Sequence, residues 1–307
     1  MEAKNDYKLH ILVGCLILLV SVLFSVNKEP AERVSSNAAI VYEALSQKRP
    51  NIQAESYLVK IANENKYLLK QREWKKSAPA SLTKLLTAVI AEEELSPFEK
   101  INVSAEAKNV EAKISSVEKG ESLIKDDLLK LLLSGSANDI ARVLTEEIGH
   151  QHGAKNIEEG LGVFQELAKK KVDELGMSDS YFKNPVGLDD PEHYTTAEDL
   201  VKLAEHVLYR HPRLWDFSVF HEVEIYTESG KSYIMNNTNG LLKEFPAILG
   251  SKTGFTEKAR DTLLMLYPVR PDKIAIVVIL KSENRIEDGR KIINWLDSIN
   301  LKDGARN

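Results

Sequence analysis

The chain has 307 residues, with 41 Lys+Arg against 46 Asp+Glu, a net charge of −5 and 43% hydrophobic residues. These values describe an ordinary globular protein and exclude collagen-like, low-complexity and wholly disordered chains. The negative balance argues against nucleic acid as a partner, since phosphate binding needs concentrated positive charge. With Cys15 the only cysteine, an internal disulfide and a cysteine-based zinc site are excluded.

Leu9 to Val26 is an 18-residue apolar stretch, interrupted only by His10, Gly14, Cys15, Ser21 and Ser25 and free of full charges. As a helix it would cover about 27 Å, close to a hydrocarbon core of ~30 Å. It reads as an uncleaved membrane anchor. A cleaved signal peptide and a lipoprotein signal built on Leu12-Val13-Gly14-Cys15 are the alternatives. All three deliver the rest of the chain to the outer side of the cytoplasmic membrane. The expected division is an anchor over residues 1–27, a linker over 28–50, a catalytic domain over 51–302 and a short tail over 303–307.

The pattern beyond the linker begins with two short apolar runs, Ala54 to Ile61 and Lys66 to Gln71, joined by Ala62-Asn63-Glu64-Asn65, which predicts a hairpin. Pro79 and the run from Ser81 to Ala91 predict a buried helix. Lys125 to Leu133 and Ile140 to Ile148 read as helices around a break at Ser134-Gly135-Ser136. Phe164 to Leu175 and Ala197 to Tyr209 are also helical, the last with Thr195 and Glu198 spaced as a capping box. Strands are expected at Glu222 to Tyr226, Thr262 to Tyr267 and Lys273 to Leu280, then a closing amphipathic helix from Arg285 to Ile299. Two early strands and three late ones imply an α/β protein whose one sheet is assembled from both chain ends, with a helical lobe inserted.

Single short motifs carry little here. Ser-x-x-Lys occurs at Ser25, Ser81, Ser116, Ser122 and Ser180, and Ser-x-Asn at Ser25, Ser35, Ser136, Ser282 and Ser298. Context separates them. Only Ser81 stands at the mouth of a buried helix, where free N–H groups favour an alkoxide or oxyanion, and Lys84 lies on its face three residues on. Only Ser136-Ala137-Asn138 falls in a break between apolar helices. Lys252-Thr253-Gly254 occurs once. The ordered combination is the signature of serine β-lactamases and penicillin-binding proteins.

Further stretches carry a resemblance: Gly120-Glu121, Glu174-Leu175-Gly176-Met177, Asn184-Pro185-Val186-Gly187-Leu188-Asp189 and Asn237-Thr238-Asn239-Gly240-Leu241-Leu242. With the three motifs, the chain from about Asn51 to about Leu301 resembles the S11 serine peptidases, the D-alanyl-D-alanine carboxypeptidases among the low-molecular-mass penicillin-binding proteins. The resemblance implies a β-lactamase/transpeptidase-like fold with a mainly antiparallel sheet. It implies peptidoglycan stem peptides as substrate, β-lactams as covalent inhibitors, and neither cofactor nor metal.

It further implies acylation of Ser81, with Lys84 taking its proton as a neutral amine, a shift of about three pKa units, or about 4 kcal/mol. Burial and a second cation, Lys252, push that way. Ser136 would relay a proton to the leaving amine. Asn138 would hold Lys84 and the substrate amide, and Lys252 with Thr253 would bind the terminal carboxylate. Gly254 would admit the substrate close to the strand, and the N–H groups of Ser81 and Phe255 would form the oxyanion hole. Arg260 departs from the pattern, where relatives usually carry glycine; it is expected to disturb the sheet edge or pair with Asp261. The short stretch after the motif strand is expected to leave no room for the additional β-rich domain and C-terminal anchor that the resemblance implies for many relatives. Asn184-Pro185-Val186-Gly187 reads as a turn shaping the cleft floor, His150 and His152 as a solvated loop rather than a metal site, and Trp74, Trp215 and Trp295 as core or interface residues. A D,D-endopeptidase shares every motif, and a class A-like β-lactamase or an inactive wall-binding homologue are the remaining alternatives.

Overall fold

Ser56–Ile61 forms β1 and Tyr67–Gln71 forms β2, paired antiparallel around a turn in which Asn63 takes a positive φ of 59°. That conformation is one that asparagine tolerates well. The computed structural model describes residues 48–112 and 115–303, with side chains through 299. The apolar segment Leu9 to Val26, nearly all of the linker, and residues 304–307 of the tail lie outside the described residues. Among the described residues no helix is long and apolar enough to cross a membrane.

Three late strands complete a five-stranded sheet: β7 (Gly250–Thr256), β8 (Arg260–Arg270) and β9 (Lys273–Ser282), in the order β2-β1-β9-β8-β7, every neighbour antiparallel. The two ends of the chain meet where Ser56 faces Leu280 and Ile61 faces Ala275. β8 and β9 are apolar without alternation because both their faces are covered. Leu264, Leu266, Ile276, Val278 and Leu280 enter the core shared with the helical lobe. Leu263 lies on the other face, toward the closing helix Arg285–Asp303, which buries Ile292, Ile293 and Leu296.

The third late strand differs from expectation. Glu222–Tyr226 (β5) is outside the main sheet and pairs only with Ser232–Asn236 (β6) as a separate hairpin. Its Val223 and Ile225 point into the helical lobe. A period-two alternation shows that one face is buried without saying against what, and the strand of Lys252 takes the place assigned to β5. A second small pair, Lys100–Asn102 (β3) with Ser122–Ile124 (β4), was not anticipated.

The lobe is organised around α1 (Thr83–Glu94), which is buried on nearly every side from Thr83 to Ala91, as expected for a central helix. Short α2 (Ala105–Lys108) follows, then α3 (Lys125–Lys130), which runs into a π-helical turn, Leu131–Gly135, before α4 (Asn138–Gln151) and α5 (Ile157–Glu174). In α6 (Ala197–Arg210) the N-cap is Thr196, whose hydroxyl accepts from the Asp199 N–H at 3.1 Å. Thr195, expected in that role, instead pairs its backbone with Ser77 and its hydroxyl with Ser180. The extended pairing delays the helix by one residue. Two short helices, α7 (Arg213–Ser218) and α8 (Leu241–Glu244), precede β7, and α9 (Arg285–Asp303) closes the fold.

Candidate active site

Ser81 sits in a 3₁₀ turn, Ala80–Leu82, that feeds α1. Ala80 is held at a φ of +49°, a sparsely populated region for a residue with a Cβ. Two glycines enforce the geometry. A Cβ built on Gly187 would meet the Ala80 carbonyl oxygen at 1.9 Å, and one on Gly254 would meet the Ser81 nitrogen at 2.7 Å. Gly254 therefore lets the Ser81 turn lie against β7, a reason distinct from the substrate approach expected of it.

One helical turn on, Lys84 is wholly buried, and its Nζ donates to Ser81 Oγ at 2.8 Å and to the Val186 carbonyl at 2.7 Å. The Asn184 side chain builds the turn that aims that carbonyl, its Oδ1 accepting from the N–H groups of Val186, Gly187 and Leu188. This turn is the expected cleft floor and also a ligand of the lysine. Those three bonds fix the Asn184 amide, so its Nδ2 donates to His193 Nδ1 at 3.1 Å. His193 must then carry its proton on Nε2 and give it to Thr83 Oγ1 at 2.9 Å, while Thr83 donates to the Ala80 carbonyl. Burial pushes His193 down to about 4, against the opposing fields of Asp190 and Asp189. It is thus neutral, as this chain of donors requires. Nothing in its sequence neighbourhood marked His193 apart from its place after the Asn184 to Asp189 stretch.

Ser136 follows the π-helical turn in the left-handed conformation, φ 62° and ψ 32°. Such turns recur at functional sites. Its hydroxyl accepts from Lys252 Nζ at 2.8 Å, and Ala137, not Ser136, is the N-cap of α4. Lys252 is 1% exposed and also donates to its neighbour's carbonyl at 3.0 Å. Thr253 exchanges a hydrogen bond with Thr238 at 2.6 Å, which assigns a place in the wall to the Asn237-Thr238-Asn239 stretch. Asn138 gives its amide to the Glu111 carbonyl at 2.7 Å. The next residue, the buried Asp139, accepts from the Ser115 N–H and hydroxyl and from the Lys108 ammonium.

Ser81, Ser136, Asn138, Thr253, Gly254 and Phe255 line one cleft of about 300 Å³, with Lys84 and Lys252 buried behind its serines. Phe255 is 54% exposed at the rim. Arg285 lines the same cleft and was missed. Its guanidinium reaches the Gly254 carbonyl at 3.3 Å and pairs with Asp261, and its Nε is buried without a hydrogen-bond partner. A cation at the first position of a helix opposes the dipole there, and that anomaly in Arg285 was the available signal. Arg260 pairs with Glu283 at 3.0 Å, not with Asp261, and holds a φ of +54° where relatives are expected to carry glycine. His150 lies in the last turn of α4 and not in the expected loop, whereas His152 caps the helix in the turn beyond it, its ring on Glu94 at 2.8 Å; both are exposed. Trp215 and Trp295 are buried, whereas Trp74 is 52% exposed.

Comparison with known proteins agrees with this arrangement. The chain is 27% identical over 250 residues to D-alanyl-D-alanine carboxypeptidase DacF of Bacillus subtilis, covering 80% of this chain and 61% of that one. It is 26% identical over 298 residues to a D-alanyl-D-alanine endopeptidase of Escherichia coli, covering 95% and 89%. The solved DD-transpeptidase of Streptomyces K15 superposes with a TM-score of 0.75 over 82% of this chain and all of its own, at 21% identity, which establishes the fold. The chain spans about three-fifths of the length of DacF. Residues 43–284 match the family described as D-alanyl-D-alanine carboxypeptidase, and the chain belongs to that S11 peptidase family.

Proposed function

We propose that the protein is a serine D-Ala-D-Ala carboxypeptidase that trims the terminal D-alanine from peptidoglycan stem peptides. The observation that carries this reading is a pair of buried lysines, each 2.8 Å from a serine hydroxyl of the same cleft. The Ser81 hydroxyl attacks the carbonyl of the penultimate D-alanine while Lys84 takes its proton; burial and the nearby Lys252 ammonium both favour the uncharged amine this needs. The oxyanion is held by the N–H groups of Ser81 and Phe255. Ser136, polarised by Lys252, passes a proton to the departing amine. Thr253 and the Arg285 guanidinium bind the free carboxylate, and Asn138 keeps the cleft wall in place. Water then cleaves the acyl-enzyme. A β-lactam acylates Ser81 by the same attack, but its ring nitrogen stays tethered.

The apolar stretch Leu9 to Val26 supports placing the domain on the outer face of the cytoplasmic membrane, held there by an N-terminal anchor. The fuller match in length to the endopeptidase relative supports cleavage of peptide cross-links as a second reading. Intact-protein mass after exposure to a penicillin tests the nucleophile: an adduct lost in Ser81→Ala is expected, and an unlabelled wild-type chain overturns the reading. Digestion of pentapeptides and cross-linked muropeptides side by side, read by mass, decides between the two substrates. Fast nitrocefin turnover would point instead to a β-lactamase.

A further inference from the structure

The far end of α1 holds a second cluster that the chemistry above does not use. Glu93 lies in the last turn of α1, His206 near the end of α6, and His211 just beyond it as the C-cap. The non-helical backbone of His211, φ −135° and ψ 50°, turns its ring back toward His206, and the ring centroids are 5.2 Å apart. One oxygen, Glu93 Oε1, stands 3.4 Å from His206 Nε2 and 3.2 Å from His211 Nε2. All three candidate ligand atoms lie within 4.8 Å of one another.

The two carboxylate–imidazole separations are those of a coordination shell. Two ligands about 2.05 Å from a tetrahedral zinc stand about 3.3 Å apart. The His206 Nε2 is buried and forms no hydrogen bond of good geometry, its contact with Glu93 Oε1 standing at 3.4 Å, and a buried polar atom left that way requires an explanation. We infer that Glu93, His206 and His211 form a binding site for a divalent metal of the zinc class, with a fourth position open to water.

The rival for the carboxylate is Lys171, on α5. Its Nζ lies 2.9 and 2.7 Å from the two Glu93 oxygens and 2.7 Å from Glu174. A metal takes over Glu93, and Lys171 keeps Glu174. Occupancy would pin the end of α1 to the end of α6, stabilising the folded chain because the unfolded one has no assembled site.

Zinc titration of the full chain by calorimetry, with melting temperature in parallel, tests the site. One equivalent is expected to bind and to raise the melting temperature. His211→Ala and Glu93→Gln are each expected to weaken binding by at least about tenfold. Lys171→Met removes the competing charge and is expected to tighten it severalfold, an outcome that a purely structural ion-pair cluster does not produce. His152→Ala, which strips the neighbouring His152–Glu94 pair, should leave affinity unchanged. Unaltered penicillin acylation certifies that each variant is folded. Absence of zinc binding by the wild type, or binding indifferent to His211→Ala, overturns the proposal, as does loss of binding in His152→Ala.

Discussion

The cleft contains two serine–lysine pairs with the same 2.8 Å separation but different construction. Ser81 and Lys84 are three residues apart where the 3₁₀ turn runs into α1, so near-neighbour geometry brings them together. Ser136 and Lys252 are joined across 116 residues, and their contact exists only once β7 has been placed against the helical lobe. Each pair involves a positive φ, at Ala80 just before Ser81 and at Ser136 itself. The local pair is further clamped by Gly187, Gly254 and the His193–Thr83 bond. The difference teaches that a short motif can supply reactivity, whereas orientation toward the substrate comes from tertiary structure.

The sharpest way to break the comparison is Lys84→Met. It is expected to lower penicillin acylation by about 10⁴-fold, about 5 kcal/mol of barrier, since it removes the amine hydrogen-bonded to Ser81 Oγ. A stopped-flow rate near that of the wild type would remove Lys84 from the chemistry.

The next effect is on stability and concerns the buttress of the local pair. His193 titrates at about 4 when folded, below the ordinary value near 6.5. Stability is therefore greatest above pH 6.5. Between there and about pH 4 the unfolded chain takes up a proton that the folded chain refuses, a loss on the order of 3 kcal/mol. Urea titrations at several pH values should show this slope in the wild type and a flatter one in His193→Gln.

Ser136→Ala is expected to cost about 10²-fold in acylation, less than Lys84→Met, because it removes a relay and not the base. A double-mutant cycle with Lys252→Ala should reveal strong coupling, as the two side chains share a hydrogen bond. Additive losses would show that the pair does not act as a unit. The smallest change is expected for Arg260→Gly. Relief of a positive φ offsets the loss of an exposed ion pair with Glu283, so stability should stay within about 1 kcal/mol and acylation unchanged.

How much was legible follows the same division. The buried runs of β8 and β9, the helix behind Ser81 and the three motifs were readable because propensity, periodicity and near-neighbour spacing are local properties. β5 was read as a strand correctly and assigned to the wrong sheet, since alternation carries no information about the partner. The roles of His193 and Arg285 could not be read for a related reason, although the cation at a helix start marked Arg285 as unusual. The first acquires its role from Asn184 and Thr83, the second from Gly254 and Asp261, and none of those contacts has a signature in the order of residues. Arg260 was correctly singled out as unusual, but its partner depends on how β8 meets the end of β9.

The joining of the sheet from both chain ends bears on biosynthesis. A polypeptide made from its N-terminus completes the Ser81 helix long before Lys252 and its strand exist, and that strand is aligned only by β8 and β9. A growing chain thus holds an incomplete cleft, with one serine–lysine pair made and its counterpart still to come. The complete cleft arrives late and all at once, when the last hairpin zips beside the first.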